Sequence, residues 1–240
     1  MNNVEKLQKL IDESDNIVFF GGAGVSTASG IKDFRGKNGL YKEKDYPTDL
    51  PPEYMLSIDL FMSNPEMFYS FYKDKMNCLD KEPNIVHKYL AKLEKENKLK
   101  AIITQNIDGL HQKAGSKNVL EIHGTVYNNH CMSCGKSYSA EYVFNSDGVP
   151  RCSCSGIIKP DVVLYGEQLP SCFMKAIEYI NKADLLIVAG TSLTVEPAAS
   201  LVRMFDEKHL VIMNGSLTAY ESKAELAIHD RLEDVFSKLK

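Results

Sequence analysis

A glycine-rich stretch near the start of the chain has the residue types that bind phosphate. Residues 21–24 read Gly-Gly-Ala-Gly and follow a short apolar segment, residues 16–20, which predicts a buried strand. Ser26, Thr27 and Ser29 then suit the start of a helix, whose free N–H groups and dipole favour a phosphate. The stretch predicts a nucleotide site, with a ligand-free turn of an ordinary parallel α/β protein as the alternative.

The same stretch departs from the fingerprint of nicotinamide dehydrogenases. That fingerprint has a third glycine at position 27, where Thr27 stands, and an acidic residue at the end of a second strand about 20 residues on, which this sequence lacks. Instead, residues 33–36 read Asp-Phe-Arg-Gly, so an acid, an aromatic ring and a guanidinium follow the phosphate turn. This order predicts a loop that folds over the cofactor rather than a second βα unit.

Four of the six cysteines form two close pairs whose spacing suits a metal ion. Residues 131–134 read Cys-Met-Ser-Cys and residues 152–154 read Cys-Ser-Cys, so their thiolates suit one tetrahedral Zn²⁺. Because four protein thiolates leave no open coordination position, we expect a structural metal. The alternatives are four free cysteines, or His130 as a ligand, whose position directly before the first cysteine is unfavourable; Cys78 and Cys172 are expected to fill apolar space. The predicted ligands are Cys131, Cys134, Cys152 and Cys154.

Polar residues also follow predicted strands at their carboxyl ends, where open α/β sheets bind ligands. Residues 105–108 read Gln-Asn-Ile-Asp and follow a strand predicted over 99–104, and His123 follows one predicted over 119–122. Taken singly, such a histidine is more often structural, and an asparagine or aspartate at a strand end is often a helix cap. After the strands predicted over 185–189 and 210–213 stand Gly190, Thr191, Ser192 and Asn214.

The alternation of strands and helices predicts an α/β fold with a Rossmann-like, doubly wound parallel sheet. We expect helices at the start of the chain, over 84–97, over 196–205 and over 232–239. Two segments interrupt this pattern. The first is a helical excursion with a loop at 45–52 and a helix that begins at Pro65, and the second is the small zinc module. The predicted Rossmann-like domain comprises 1–36, 83–125 and 157–240, and the small domain comprises 37–82 and 126–156.

Composition narrows the class of protein. The chain has 240 residues, 44% of them hydrophobic, which suffices for one sizeable core or a large domain with a small satellite. A net charge of −4 disfavours direct binding of nucleic acid. No apolar run approaches the length that spans a bilayer, and the polar start does not resemble a signal peptide. We therefore expect a cytoplasmic protein; its oligomeric state does not follow from the composition.

Three motifs together resemble the signatures of the sirtuins, in the form of a bacterial-type single-domain member. Residues 22–36 match Gly-Ala-Gly-x-Ser-x-x-Ser-Gly-Ile-x-Asp-Phe-Arg-Gly, residues 105–108 match the second signature, and His123-Gly124 match the third. The four-cysteine module stands between them and the later strands in the order of that family, and matching segments run from about residue 16 to 215. Lys32 is a departure, because the family usually has proline there.

The resemblance implies an NAD-dependent protein lysine deacetylase, with NAD as co-substrate and one structural zinc. The acyl group passes to ADP-ribose, which releases nicotinamide, 2′-O-acetyl-ADP-ribose and the free lysine. His123 would be the general base, Asn106 would position water and ribose hydroxyls, and Asp108 would hold the nicotinamide amide with the backbone of Ile107. Phe34 would cover the nicotinamide. The other implied cofactor contacts are Gly22, Ala23, Gly24, Thr27, Asp33, Arg35, Gln105, Gly190, Thr191, Ser192, Asn214 and Arg231.

The resemblance also bears on the substrate. Val162 and Val163 resemble the strand that pairs with the acylated peptide of a substrate protein. Members of the family that remove acidic acyl groups carry a Tyr-x-x-Arg pair, which here becomes Tyr72 and Lys75. Because lysine lacks the planar fork of arginine, we expect a preference for acetyl or other neutral acyl groups. Three phenylalanines could supply apolar walls for such a group: Phe61, Phe68 and Phe71. The alternatives are that the aromatic stripe with Phe68 and Phe71 packs in the core and that Lys75 faces water.

Other functions remain open at this point. A non-catalytic sensor of NAD or ADP-ribose would share the glycine-rich loop, but would not need the set of Asn106, Asp108 and His123. A mono-ADP-ribosyltransferase would use the same cofactor chemistry. A hydride-transfer enzyme is disfavoured by the missing third glycine and the missing ribose-binding acid.

Overall fold

The computed structural model describes residues 1–36, 39–42, 50–205 and 209–240. Most of the predicted loop at 45–52 lies outside these residues. In the described part, the strands are β1 (Ile17–Gly21), β2 (Leu99–Thr104), β3 (Val119–Glu121), β4 (Gly124–Cys131), β5 (Ser137–Ser139), β6 (Ile158–Val162), β7 (Leu185–Ala189), β8 (His209–Met213) and β9 (Leu226–Ile228). The α-helices there are α1 (Asn3–Glu13), α2 (Ile58–Ser63), α3 (Pro65–Lys75), α4 (Ile85–Lys95), α5 (Leu110–Lys113), α6 (Ala140–Asn145), α7 (Cys172–Lys182), α8 (Ser200–Arg203) and α9 (Leu232–Phe236).

The main sheet is parallel, with the order β3-β2-β1-β7-β8-β9 among the described residues. Counted within this sheet alone, that order is the 3-2-1-4-5-6 of a doubly wound nucleotide-binding fold. The predicted Rossmann-like α/β fold is therefore confirmed. The chain crosses from one side of the sheet to the other between β1 and β7, so a ligand crevice is expected above their carboxyl ends.

Both faces of the main sheet are covered by helices, which explains why its central strands are continuously apolar. One face packs on α1, α4 and α9, with Leu7, Leu90 and Phe236 in its core. The other face packs on α7 and α8, with Ile180 and Leu201 in its core. Helix α1 begins with a capping box, in which the Asn2 side chain accepts from the Glu5 N–H and the Glu5 side chain accepts from Asn2 N–H.

A second, three-stranded antiparallel sheet has the order β5-β4-β6 and belongs to the smaller layer of the protein. Its apolar core is shared with α2, α3 and α6, so residues of the helical excursion and of the cysteine module pack in one hydrophobic cluster. Strand β6 belongs to this second sheet, whereas the predicted boundaries assign residues 157–240 to the Rossmann-like domain. An apolar run predicts a buried strand but not its partner, and here Gly124 of β4 pairs with Val162 of β6.

Several helices are shorter than their sequence patterns predicted. The predicted helix over 196–205 is a turn followed by the four residues of α8, and the last helix ends at Phe236 instead of residue 239. Helix α7 and strand β9 had no counterpart in the prediction. Among the described residues, no helix combines the length and apolarity needed to cross a membrane.

Gly124 connects the two sheets and gives a test of this topology. It has φ +75°, and a Cβ there would lie 1.9 Å from the Asp161 carbonyl oxygen, whereas Gly148 has φ +56° with open space around it. Alanine at either position carries the left-handed backbone cost of about 1–2 kcal/mol, but only Gly124→Ala adds a backbone clash. Urea denaturation should show that Gly124→Ala lowers the free energy of unfolding by at least about twice as much as Gly148→Ala. Equal losses would contradict the close pairing of β4 with β6.

Candidate active site

The strand register aligns the carboxyl ends of the main sheet, and the predicted site residues follow them. Gly21 of β1 lies opposite Thr104 of β2 and Ala189 of β7, so Gly22, Gln105 and Gly190 leave the sheet side by side. In the same register, Glu121 of β3 lies opposite Thr104 and Met213 of β8 lies opposite Ala189. His123 and Asn214 therefore emerge at the same edge of the sheet.

The loops after β1 and β7 touch each other at the point where the fold changes side. The Gly24 N–H donates to the Gly190 carbonyl oxygen at 2.8 Å. A Cβ on Gly24 would lie 2.7 Å from the Gly190 Cα, and Gly190 itself has φ +62°. Side chains at these positions would force the two loops apart, which explains the glycines and brings the backbone close to any ligand above them.

The predicted helix after the glycine-rich turn does not form. Residues Ala23–Val25 and Thr27–Ser29 are two short 3₁₀ turns, so no α-helix N-terminus faces the crevice here. The Ser26 hydroxyl is buried and donates to the Asp108 carboxylate at 2.6 Å instead of capping a helix. This long-range contact outweighs the local capping preference of serine.

Ser26 connects the two polar residues of the second motif. The Asn106 side-chain amide donates to the Ser26 oxygen at 3.1 Å, and Ser26 in turn donates to Asp108. The other carboxylate oxygen of Asp108 accepts from the Leu110 N–H at 3.0 Å. Burial raises the pKa of Asp108, while its hydrogen bonds from Ser26 and Leu110 act in the opposite direction. Sequence analysis missed this role of Ser26, although its place in the glycine-rich motif was a signal.

A backbone contact orients the ring of His123. Its Nδ1 lies 3.2 Å from the Gln105 carbonyl oxygen, which can only accept a hydrogen bond. In the neutral ring Nδ1 must therefore carry the proton, which leaves the lone pair on Nε2. Burial lowers the pKa of His123, so its ring is neutral near pH 7 and able to accept a proton.

The predicted cofactor loop is held by contacts of its own. The Asp33 carboxylate accepts from the Gly36 N–H at 2.9 Å, and the Phe34 ring meets the Tyr41 ring edge-on, with centroids 5.3 Å apart. The Arg35 guanidinium donates to Glu53 at 3.2 Å and to the Tyr165 hydroxyl at 3.3 Å. Asp33 and Arg35 thus shape the loop, and Phe34 is the member of the trio that offers an apolar face to the crevice.

The far end of the crevice is lined by the loops after β7, β8 and β9. The Gln105 amide donates to the Thr191 hydroxyl at 2.9 Å, and the Ser192 hydroxyl lies 2.8 Å from the Thr194 hydroxyl. The Asn214 amide donates to the Ser216 carbonyl oxygen at 2.8 Å. Arg231 is exposed and forms an ion pair with Glu233 at the rim.

Val162 and Val163 lie where β6 reaches the crevice. Strand β6 pairs with β4 on one side and is an edge strand in the described part of the chain. The Val163 N–H donates to the His123 carbonyl oxygen at 2.9 Å, which ties this edge to the histidine. The buried Lys159 ammonium secures the strand by donating to the Val162 carbonyl oxygen at 3.2 Å and to Glu167 at 2.9 Å.

All of the predicted cofactor and substrate residues line one crevice of about 920 Å³ between the main sheet and the smaller layer. Its apolar lining includes Ile31, Phe34, Leu56, Ile107 and Leu164. The predicted walls Phe61, Phe68 and Phe71 are instead buried in the core of the smaller layer. Their aromatic stripe therefore serves packing, and the prediction that they line the acyl pocket is wrong.

Tyr72 and Lys75 also have different surroundings. Tyr72 is fully buried and stacks on Phe68 and Phe144, with centroids 5.5 Å and 5.4 Å apart. Lys75 lines the crevice, and its ammonium lies 3.0 Å from the Asp74 carboxylate. A carboxylate in the crevice would meet a lysine that already has an acidic partner.

The four clustered cysteines form the predicted metal site. Their sulfur atoms all lie within 4.8 Å of one another, and the pairs Cys131–Cys154 and Cys134–Cys152 are each 3.5 Å apart. Sulfurs bound to one Zn²⁺ at about 2.3 Å in a tetrahedron are separated by similar distances. The donor set thus fits a structural zinc, which would join the β4–β5 turn to the loop before β6.

Comparison with known protein families identifies the family of this chain. The model of the Sir2 family matches residues 22–197, which include the glycine-rich loop, the second motif and His123. The chain belongs to the Sir2 family. The resemblance to the sirtuins is therefore confirmed.

Individual Sir2 relatives match almost the whole chain. The NAD-dependent protein deacetylase of Clostridium acetobutylicum is 52% identical over 238 residues, which cover 98% of this chain and 97% of the relative. A Sir2 structure with a p53 peptide and NAD⁺ is 39% identical, with a TM-score of 0.85 over 99% of this chain and 97% of that one. A Sir2 structure with a deacetylated p53 peptide and 3′-O-acetyl ADP-ribose is 40% identical, with a TM-score of 0.89 over 98% and 96%.

The metal site of this Sir2 protein can be tested directly. Purified protein should contain about one zinc per chain, because the four thiolates form one tetrahedral set. Cys154→Ser should lose the zinc and lower Tm, since metal binding contributes to folding. Cys172→Ser is the matched control, because Cys172 lies apart from the cluster and contacts the Glu121 carbonyl oxygen. If wild-type protein without zinc had the same Tm and activity as wild-type protein with zinc, the assignment would be contradicted.

Proposed function

We propose that this protein is an NAD-dependent protein lysine deacetylase in which His123 is the general base. Its membership of the Sir2 family and its relatives named as NAD-dependent protein deacetylases support the activity. The observation that carries the residue assignment is the meeting of His123, Asn106 and Asp108 in one crevice with the glycine-rich loop. The reaction transfers the acyl group of an acyl-lysine to ADP-ribose and releases nicotinamide.

NAD, when bound, supplies a ribose carbon that the acyl oxygen of the substrate attacks as nicotinamide leaves. The backbone of residues 22–24 and 190 would border the phosphates. The residues that would border the riboses and adenine are Thr27, Gln105, Thr191, Ser192, Asn214 and Arg231. Asp108 and the Ile107 backbone would hold the nicotinamide amide, and Phe34 would cover that pocket. The Ser26 bridge fixes the positions of Asn106 and Asp108 relative to each other. The groups that would bind the ribose and the nicotinamide therefore keep a constant spacing.

His123 accepts a proton from a ribose hydroxyl through Nε2. Its Nδ1–H is occupied by the Gln105 carbonyl oxygen, which fixes both the tautomer and the ring orientation. Because burial lowers the pKa of His123, the ring is in its basic form at neutral pH. A binder without catalysis would not need a neutral imidazole held in this way, which favours the enzyme over a sensor of ADP-ribose.

The substrate is an acetylated lysine in a protein segment that adds to β6 at the edge that has no partner strand among the described residues. Main-chain hydrogen bonds of such an added strand do not depend on side chains, so they accept many sequences, and the acyl-lysine enters the crevice beside Val162 and Val163. We expect this reaction to take place in the cytoplasm, where four clustered thiolates stay reduced. Mono-ADP-ribosylation is the second candidate, because it would use the same cofactor chemistry with a different acceptor.

Mass spectrometry of an acetyl-lysine peptide incubated with NAD tests the proposed activity. We expect deacetylated peptide, nicotinamide and acetylated ADP-ribose from the wild-type protein. His123→Ala should reduce the rate about 100-fold or more, since a general base contributes that much, while NAD affinity and Tm stay close to the wild-type values. An ADP-ribosylated peptide, NADH, or a His123→Ala rate within a few-fold of wild type would each contradict the proposal.

The preference for the acyl group can be measured with matched acetyl- and succinyl-lysine peptides. A succinyl carboxylate that approaches Lys75 would be repelled by the Asp74 carboxylate. The value of kcat/KM should therefore be at least about tenfold higher for the acetyl peptide. Asp74→Asn should narrow this ratio by removing the competing charge, and Glu66→Gln, at the start of α3, should leave it unchanged. A succinyl peptide that reacts equally well with the wild-type protein would overturn the preference.

A further inference from the structure

Asn84 joins the start of α4 to the glycine-rich loop. It is the N-cap residue of α4, and its side-chain oxygen accepts from the Val86 N–H at 2.9 Å. Its side-chain nitrogen donates to the Val25 carbonyl oxygen at 2.8 Å and to the Ser29 hydroxyl at 3.0 Å. The amide oxygen of Asn84 thus binds the helix, and the amide nitrogen binds the loop, which lies more than 50 residues away in the sequence.

The orientation of this amide is determined by its partners. The Val25 carbonyl can only accept and the Val86 N–H can only donate, so the nitrogen must face the loop and the oxygen must face the helix. His87 completes the capping box, because its Nδ1 accepts from the Asn84 N–H at 3.3 Å. His87 is fully buried against His111, with ring centroids 4.7 Å apart, which fixes that side of the contact.

The loop atoms that Asn84 holds lie on both sides of Ser26. Val25 directly precedes Ser26, and Ser29 lies in the next 3₁₀ turn, where its N–H donates to the Ser26 carbonyl oxygen at 3.0 Å. Ser26 is the bridge between Asn106 and Asp108. A shift of the loop would therefore move the phosphate-binding backbone and the bridge together.

We propose that Asn84 is a positioning residue for NAD, which holds the glycine-rich loop in its binding conformation without touching the cofactor. The inference rests on the proposed function, since NAD is taken as the occupant of the crevice. A role restricted to capping α4 is the competing explanation. The two explanations require different side chains at position 84. Any good N-cap residue preserves the helix, whereas only a hydrogen-bond donor as long as asparagine can hold Val25 and Ser29.

The decisive variant is Asn84→Ser, which keeps an N-cap side chain but is too short to hold the loop. Losing two neutral hydrogen bonds should weaken NAD binding about tenfold, measured as Kd by calorimetry, and raise the KM for NAD similarly. The KM for the acetyl peptide should stay within about twofold, since β6 is untouched. Ser29→Ala removes one of the two loop contacts and leaves the cap intact, so it should weaken NAD binding about threefold.

Asn64→Ser is the matched control, because Asn64 caps α3 through the Met67 N–H at 3.0 Å and lies away from the loop. It should leave the Kd for NAD unchanged. An Asn84→Ser protein with lower Tm but an unchanged Kd for NAD would overturn the inference in favour of a capping role alone. Equal loss of NAD and peptide affinity would also overturn it.

The test of Asn84 is separate from the test of the proposed function, because calorimetry measures NAD binding without turnover. A wild-type protein that binds NAD but does not deacetylate the peptide would contradict the proposed function, and the effect of Asn84→Ser on the Kd for NAD could still be measured.

Discussion

The contact between the loops that follow β1 and β7 is the constraint on which the site depends. Parallel strands end at one edge of a sheet, but their loops must approach within van der Waals distance to form one continuous crevice. Here Gly24 and Gly190 meet backbone to backbone, and the hydrogen bond between them holds the two loops together. The crevice follows from this approach, because residues after β2, β3 and β8 leave the sheet at the same level.

Buried polar groups then give the crevice its chemistry. Asn106, Ser26 and Asp108 are all buried, so each must be hydrogen-bonded to avoid a large desolvation cost, and they satisfy one another. His123 is held in one tautomer by the Gln105 backbone, which belongs to the same loop as Asn106. The proposed binding and proton-transfer steps therefore draw on one connected set of loops, with the zinc module fixing β4 and β6 beside it.

The sequence predicted the parts of this structure that rest on local pattern. β1 and β7 are continuous apolar runs, and β2 and β8 are mostly apolar. The cysteine spacing likewise indicated the cluster of four thiols that the structure contains. Contacts between distant segments were not predictable in this way. Ser26 was expected to begin a helix, yet it is bound to Asp108, 82 residues away. The partner of β6 and the burial of Phe68 depend likewise on tertiary packing, and β9 is too short, at three residues, to give a periodic signal.

Exchange of labelled nicotinamide into NAD in the presence of acetyl peptide tests the central claim most directly, since it separates nicotinamide release from the later proton transfer. If Asn106, Ser26 and Asp108 hold the cofactor while His123 acts only as base, the His123→Ala protein should still exchange nicotinamide at a rate within a few-fold of wild type and should form almost no deacetylated peptide. Loss of exchange together with deacetylation, with NAD binding intact, would contradict this division of roles.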